Sequence, residues 1–150
     1  MNEQKEITTE STFPTYAAVY MDEASVQVWW LGLNRSDQEL NPLGYTRYRA
    51  NFYTDRYRPL LAGVERELEK VVAVAVSQFG GRLVAIEFLP YRMLVDYIAP
   101  AHHDINNTNN VIRRQTSDYF KNNHKGVGSS DKSHNSLWRK NVPTYRFSHP

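Results

Sequence analysis

The chain has 150 residues, a mass of 17.5 kDa and no cysteine, which is enough for one hydrophobic core. Its composition, 41% hydrophobic and 23% charged, excludes collagen-like, low-complexity and largely disordered proteins. The lack of cysteine excludes disulfides and a thiolate nucleophile. No apolar run approaches the roughly eighteen residues of a membrane span, and the first residues do not resemble a signal peptide. We therefore expect one globular, cytoplasmic protein that does not associate with a membrane.

The net charge of +2 hides an uneven distribution along the chain. Residues 1–44 sum to −5, residues 45–104 to +1 and residues 105–150 to +6. Arginine outnumbers lysine twelve to six, and a guanidinium group binds phosphate bidentately and stacks on flat rings. The charge alone leaves two interpretations open, a surface for nucleic acid or a solvated charged face without a partner.

The N-terminal part of the chain is expected to lie outside the main domain. Residues 1–14 are polar and without periodicity, which predicts a flexible arm. Two β-rich runs, Tyr16 to Met21 and Val26 to Leu33, predict a β-hairpin. With the loop that follows, this hairpin occupies residues 15–44 and leaves residues 45–150 as the main domain.

Hydrophobic periodicity in the main domain predicts the order strand, helix, strand, strand, helix, strand. We expect strands at Tyr45 to Tyr53, Arg82 to Leu89 and Met93 to Ile98, helices at Leu60 to Phe79 and Asp104 to about Asn123, and short final strands at Leu137-Trp138 and Thr144 to Phe147. This order is that of a ferredoxin-like α+β sandwich, an antiparallel sheet with two helices on one face. The other face of the sheet is then available for binding.

Arginine and tyrosine alternate along the first of these strands and at its exit. Tyr45, Arg47 and Arg49 are expected on one face of the strand, whereas Tyr48 and Phe52 point to the other. Such a pattern suits single-stranded or distorted nucleic acid, because arginines neutralise phosphates and tyrosines stack on unpaired bases. The second helix adds a basic stripe formed by Arg113, Ser117 and Lys121 beside Arg114. The alternative is a solvent-exposed strand with aromatic cross-strand pairs.

The histidines do not form a metal-binding pattern. His102-His103-Asp104 is their only cluster, and adjacent side chains rarely bind one ion. Its position before a helix favours a polar turn with a helix cap. We expect no metal and no cofactor.

Several segments together resemble one protein family. They are Tyr48 to Leu61, Glu87-Phe88-Leu89-Pro90, Ala99-Pro100, Val111 to Phe120 and Leu137-Trp138-Arg139-Lys140. In order and spacing they resemble elements of the single-tyrosine HUH transposases of small insertion sequences, including the repeat-associated tyrosine transposases. In chain order, these elements are the opening strand with its Tyr-Arg element, the strand that leads to the metal motif, the exit from that motif, the DNA-contacting helix and the late Leu-Trp strand. The resemblance covers about two thirds of the chain, within residues 45–148.

The sequence departs from this family at the two elements of catalysis. The family has Pro-Asp-His-x-His where this chain has Pro90-Tyr91-Arg92-Met93-Leu94, so Arg92 and Leu94 replace both metal-binding histidines. Neither side chain can coordinate a divalent cation, although Arg92 can hold a phosphate there. The nucleophilic tyrosine of the family lies on a helix after the last strand, and we expect this chain, which ends at Pro150, to lack that helix.

The resemblance therefore implies a catalytically inactive, transposase-like protein that recognises single-stranded or hairpin DNA. It also implies a homodimer joined through its sheets, in the setting of a mobile element, a phage or a domesticated regulator. The candidate stacking rings are Tyr48 and Tyr57. The full set of candidate DNA contacts is Arg47, Tyr48, Arg49, Arg56, Tyr57, Arg58, Arg92, Arg113, Arg114, Lys121, Arg139 and Lys140.

Two other functions remain open on the sequence. One is a divergent metal-dependent nuclease that uses His102, His103 and Asp104 together with Tyr145. The other is a protein-interaction module on the same scaffold, anchored by Trp29 or Trp30 in an exposed hairpin.

Overall fold

Five strands and three helices make up the part of the chain that the computed structural model describes, residues 14–31, 44–55, 60, 63–123 and 137–147. The elements are β1 (Tyr16–Val19), α1 (Glu23–Trp30), β2 (Tyr45–Tyr53), α2 (Val64–Gln78), β3 (Arg82–Leu89), β4 (Arg92–Pro100), α3 (Ile105–Asn123) and β5 (Thr144–Arg146). None of these helices is long and apolar enough to cross a bilayer. The expected arm over residues 1–14 and the loops over residues 34–44 and 124–136 lie almost wholly outside the described residues.

The strands form one antiparallel sheet in the order β1-β3-β4-β2-β5. From β2 onward the elements follow the order β-α-β-β-α-β, with β4 between β2 and β3. The prediction of a ferredoxin-like α+β sandwich is confirmed, and the predicted bounds of β2 and β3 match the structure. Alternation along each strand and the turns at Gly80-Gly81 and Pro90 carried that prediction.

The main core lies between the sheet and the helices α2 and α3. Residues that alternate along the central strands face the helices, among them Tyr48, Ala50 and Phe52 of β2 and Met93, Val95 and Tyr97 of β4. On α2 the buried side chains recur at helical spacing, so one face of the helix covers the sheet. This burial leaves the opposite sheet face to be occupied by something else.

The expected N-terminal β-hairpin is wrong in its second half. β1 pairs with β3 and not with a second hairpin strand formed by the next residues. The segment from Glu23 to Trp30 is instead the helix α1. Asp22 begins the helix, since its Oδ1 accepts a hydrogen bond of 2.8 Å from the backbone N–H of Ser25. The β propensity of the valines and tryptophans is overridden because Val26, Trp29 and Trp30 share the face that packs on the sheet.

Helix α1 lies on the face of the sheet that the sequence suggested would be available. Val26 is buried there in a second, smaller cluster with Tyr45 of β2, Val84 of β3 and Ile98 of β4. These residues lie at the end of the sheet where β2 begins and β4 ends. The expectation of a fully available face is therefore corrected, because α1 covers one end of it.

The segment after α3 returns to the sheet and is fixed to α3 by side-chain hydrogen bonds. The indole Nε1 of Trp138 donates to Thr116 Oγ1 at 2.6 Å, and the backbone N–H of Leu137 donates to Ser117 Oγ at 2.9 Å. Trp138 also forms a single β-bridge with Thr54 in place of the expected short strand. Ser117 is buried beneath this segment, so its predicted place on an exposed basic stripe is wrong.

The packing of α1 on the sheet predicts that substitutions of two valines on this helix change the free energy of unfolding by different amounts. We expect Val26→Ala to lower the free energy of unfolding by roughly 2 kcal/mol, because it removes two methyl groups from a fully buried site. Val28→Ala is the matched control, since Val28 is exposed, and should change stability by less than about 0.5 kcal/mol. Urea denaturation followed by circular dichroism measures both values. Equal effects would contradict the packing of α1 on the sheet.

Candidate nucleic-acid interface

The sheet face opposite α2 and α3 carries three of the candidate residues, Arg47, Arg49 and Arg92, and we call it the open face. Its side chains alternate with those of the core, so their direction follows from the strand register. The open face is formed by Tyr45, Arg47, Arg49, Asn51 and Tyr53 of β2, Arg92, Leu94, Asp96 and Ile98 of β4, Ala85 and Glu87 of β3, and Tyr145 of β5.

Arg47 lies at the centre of an ion-pair network on this face. Its Nε and Nη2 donate to Asp96 Oδ1 and Oδ2 at 2.9 and 2.6 Å. Its Nη1 and Nη2 donate to Glu23 Oε1 and Oε2 of α1 at 2.9 and 3.1 Å. The guanidinium carbon is also 4.5 Å from the centroid of the Phe147 ring. Only 8% of the Arg47 side chain is exposed, so the prediction that Arg47 contacts the DNA backbone is not supported by its position.

The protonation equilibria of this network follow from the same contacts. The hydrogen bonds that Arg47 donates to Asp96 and to Glu23 raise the pKa of Arg47 above its ordinary value, against the effect of burial. The hydrogen bond from Arg47 lowers the pKa of Glu23. The guanidinium is therefore charged at every working pH, and two carboxylates neutralise it.

The tyrosines named as stacking surfaces are not among the exposed rings. Tyr48 is 6% exposed and packs in the main core with its ring centroid 5.7 Å from that of Tyr97. Its ring cannot stack on a base while this packing holds, which corrects the prediction for Tyr48. Tyr57 and its neighbours Arg56 and Arg58 lie outside the described residues.

Arg49 and Arg92 are two accessible cations of the open face, and the exposed Arg82 lies against the Trp29 ring of α1. The Arg49 side chain is 44% exposed, and its Nη2 donates to Asp96 Oδ2 at 3.4 Å. Arg92 is half-buried beside Tyr53, whose ring centroid is 5.8 Å from the guanidinium carbon. Both groups can approach a phosphate without leaving the main core, because neither belongs to it.

A metal site of the kind implied by the transposase resemblance does not fit these residues. Arg92 and Leu94 lie two residues apart on the open face of β4, where the resemblance places the two histidines. A guanidinium group and a leucine side chain offer no lone pair to a divalent cation. Within the described ranges, no group of three His, Asp or Glu side chains is arranged to hold a metal ion.

The other basic candidates lie on α3 and on residues 137–147. Asn109 Nδ2 donates to Thr144 Oγ1 at 2.9 Å, which adds a third hydrogen bond to those of Leu137 and Trp138 and joins the two segments. Together they carry six basic residues against one acidic residue, Asp118. The six, which we call the C-terminal basic surface, are Arg113, Arg114, Lys121, Arg139, Lys140 and Arg146. Arg113 and Arg139 are half-buried, and the other four are exposed.

The residues of the nuclease alternative do not come together. The Asp104 side chain caps α3, accepting from the backbone N–H of Asn106 at 2.9 Å, and the His103 ring packs on Phe79 at 4.6 Å. This turn follows Pro100, which pairs with Tyr45. Tyr145 pairs with Arg49, four residues or about 13 Å further along β2. The turn is as the sequence predicted, and Tyr145 is not part of it.

The two tryptophans of the interaction alternative pack inside the molecule. The Trp29 ring meets the Tyr45 ring edge-on at a centroid distance of 5.1 Å, and the Trp30 ring meets Phe147 in the same way at 6.2 Å. Both are half-buried on the sheet side of α1. They anchor α1 to the open face instead of presenting a hairpin to a partner.

Comparison with known proteins identifies the fold. No protein-family model and no curated protein sequence matches this chain. The crystal structure of a protein named "putative transposase" from Deinococcus radiodurans R1 matches it with a TM-score of 0.61 and 18% sequence identity. The match covers 69% of this chain and 80% of the Deinococcus chain. The chain has a transposase-like fold. At this identity the likeness concerns the fold alone, and it agrees with the resemblance inferred from the sequence.

The ion pair between Glu23 and Arg47 predicts that the stability of the α1 contact depends on pH. Because the pKa of folded Glu23 lies below its ordinary value of 4.5, its contribution is complete above pH 4.5 and is lost as the pH falls through the folded value. We expect Glu23→Gln to lower Tm by about 2–5 °C at pH 7, corresponding to up to about 1 kcal/mol for a partly exposed pair. At pH 3 the difference in Tm should shrink towards zero. Thermal melts of both proteins at the two pH values measure this, and an undiminished difference at pH 3 would contradict it.

Proposed function

We propose that the chain is a transposase-like DNA-binding protein that recognises single-stranded or hairpin DNA and does not cleave it. The observation that carries this proposal is the C-terminal basic surface on a transposase-like fold. The six cations lie in two segments that hydrogen bonds join, and each can neutralise one backbone phosphate and release its counterion.

The distribution of charge favours DNA over a solvated face. The residues up to the end of α1 carry only Asp22 and Glu23 among the described charges, whereas residues 137–147 carry Arg139, Lys140 and Arg146 and no acid. Solvated faces intersperse both signs, and a one-sided surface attracts a polyanion over distances of about 10 Å at 0.1 M salt. Arg113, Arg114 and Lys121 extend the same sign along α3.

The absence of cleavage in this proposal rests on the side chains of β4. In the resembling transposases, a metal ion held by two histidines polarises the scissile phosphate. Here Arg92 and Leu94 occupy those positions on the open face. Arg92 can bind a phosphate oxygen through its N–H groups, which positions DNA without providing a Lewis acid.

A homodimer is part of the proposal. Strands β1 and β5 are the two edges of the sheet, and an edge strand can pair with another chain. The resemblance implies dimers joined through their sheets, and these edges are where a second copy can extend the sheet.

A salt series tests the DNA-binding proposal. We expect the full chain to bind a labelled hairpin DNA more tightly than duplex DNA or an RNA hairpin of the same sequence, with affinity falling steeply between 50 and 200 mM salt. The double variant Arg114→Gln/Lys121→Gln should lower the slope of log Kd against log salt by about 2, because it removes two phosphate contacts. The Lys70→Gln variant, on α2, is the control with an unchanged slope. Fluorescence anisotropy gives Kd, and sedimentation of the complex gives the number of chains per hairpin.

Four results would contradict this proposal. Absence of binding at 50 mM salt, or a salt response as flat as that of a neutral ligand, would rule out the phosphate contacts. An equal loss of slope in Lys70→Gln would show that the binding is not localised to the C-terminal basic surface. A single chain per hairpin at all concentrations would remove the homodimer.

A cleavage assay tests the catalytic part. Labelled hairpin DNA incubated with the chain and magnesium or manganese should remain intact. Cleavage that disappears in His103→Ala but persists in Lys70→Gln would favour the nuclease instead, because it would assign the activity to the turn before α3.

A further inference from the structure

We infer that the part of the open face not covered by α1 binds unpaired DNA bases through the rings of Tyr145 and Tyr53, with Arg49 and Arg92 as the adjoining cations. This inference rests on the proposed function and names where a single strand is held. It replaces Tyr48, whose ring is buried, with the exposed ring of Tyr145 and the half-buried ring of Tyr53 on the open face.

Tyr145 is the most exposed aromatic side chain among the described residues, with 53% of its surface accessible. It belongs to the edge strand β5 and pairs with Arg49, so its side chain points to the open face. Its ring contacts the Phe147 ring at a centroid distance of 4.7 Å and an interplanar angle of 66°. Phe147 in turn contacts the guanidinium group of Arg47 and the ring of Trp30. The ring against which Tyr145 packs is therefore held in place. A supported, exposed ring loses little conformational entropy when a base stacks on it.

Arg49 lies beside Tyr145, its pairing partner across β2 and β5. Its guanidinium carbon is 5.4 Å from the Phe147 centroid, and its ion pair with Asp96 has the long N–O distance of 3.4 Å. The short contacts of Asp96 go to Arg47 instead. Arg49 is therefore held in place but retains donors for a phosphate next to a base stacked on Tyr145.

A second ring lies further along β2, at Tyr53, and its cation is Arg92 on the neighbouring β4. Tyr53 is four residues, or about 13 Å, from Arg49 on the open face of β2. Arg92 Nη1 donates to the Tyr53 hydroxyl at 3.4 Å, which fixes the two side chains together. Asn51 lies between Arg49 and Tyr53 on the same face, and its amide can bond to a base edge. Aromatic, cationic and amide groups thus follow one line along β2.

The acidic residues of the open face argue against a DNA strand that follows β3 and β1 instead of β2. A groove beside the start of α1 contains two guanidinium groups and four carboxylates, those of Asp22, Glu23, Glu87 and Asp96. This excess of negative charge repels a phosphate backbone. Strands β2 and β5 carry no carboxylate, and that of Asp96 on the neighbouring β4 is paired with Arg47.

Single-stranded DNA is the ligand that this arrangement fits. Rings that project from a sheet stack on unpaired bases, whereas the base faces of a duplex are covered by their neighbours. The choice of DNA over RNA is taken from the proposed function. The basic surface on α3 and residues 137–147 supplies phosphate contacts, and the open face adds stacking, so the two sites act on different parts of the ligand.

Variants of Tyr145 test this inference, with a labelled single-stranded thymidine oligonucleotide as the probe. Tyr145→Leu should raise Kd by about 5- to 100-fold, the effect of losing one stacked base. Tyr145→Phe should bind within about twofold of the unchanged chain, because the ring remains. The control is Tyr20→Leu, which removes another exposed tyrosine at the far edge of the sheet, beyond β1, and should leave Kd unchanged. Tyr53→Leu should also weaken binding.

The salt dependence separates this inference from the function it rests on. Tyr145→Leu should leave the slope of log Kd against log salt unchanged, whereas Arg49→Gln should lower it by about 1. If the chain binds hairpin DNA through Arg114 and Lys121 but Tyr145→Leu binds thymidine strands as the unchanged chain does, the inference alone is overturned. If the chain binds no DNA, the proposed function falls as well. Tighter binding of a uridine oligonucleotide would overturn the assignment to DNA.

Discussion

A buried guanidinium group, that of Arg47, determines how the open face is built. A charge removed from water needs partners that compensate for its lost hydration, and an uncompensated one costs several kcal/mol. Asp96 on the neighbouring strand accepts two hydrogen bonds, Glu23 of α1 accepts two, and the ring of Phe147, the residue after β5, covers the group. One side chain of β2 therefore fixes the position of the N-terminal helix and of the last described residue.

This network divides the open face into two parts with different chemistry. Towards the start of β2, α1 covers the sheet with Val26, Trp29 and Trp30, and its first turn brings carboxylates. Towards the end of β2, cations and rings remain accessible. The two parts therefore differ in charge, because the exposed carboxylate of Glu23 belongs to the part under α1, whereas Arg49 and Arg92 belong to the other part.

Much of the fold could be predicted from the sequence, but little of the site could. Alternation and turn residues gave the bounds of β2 and β3, since both signals are local. The same alternation places Tyr48 on one face of the strand with Ala50 and Phe52, so the burial of Tyr48 was predictable. A buried ring cannot stack on a base, and the predicted stacking role of Tyr48 disagrees with that pattern. Helix α1 was missed because eight residues rich in valine and tryptophan carry a stronger strand signal than helix signal. The partners of Arg47 could not be found, because they lie 24 and 49 residues away in sequence and become neighbours only through sheet order and helix docking.

The two partners of Arg47 are unequal, and the difference bears on how this sequence can vary. Asp96 is as buried as Arg47 itself, whereas 72% of the Glu23 side chain is exposed. The pair formed with Asp96 is complete within the sheet, so the charge of Arg47 stays neutralised whether or not α1 is present. Loss or replacement of α1 uncovers a small apolar cluster but leaves no unpaired buried charge. Relatives of this protein can therefore be expected to differ in length and composition before β2 while retaining arginine and aspartate at the two central strands.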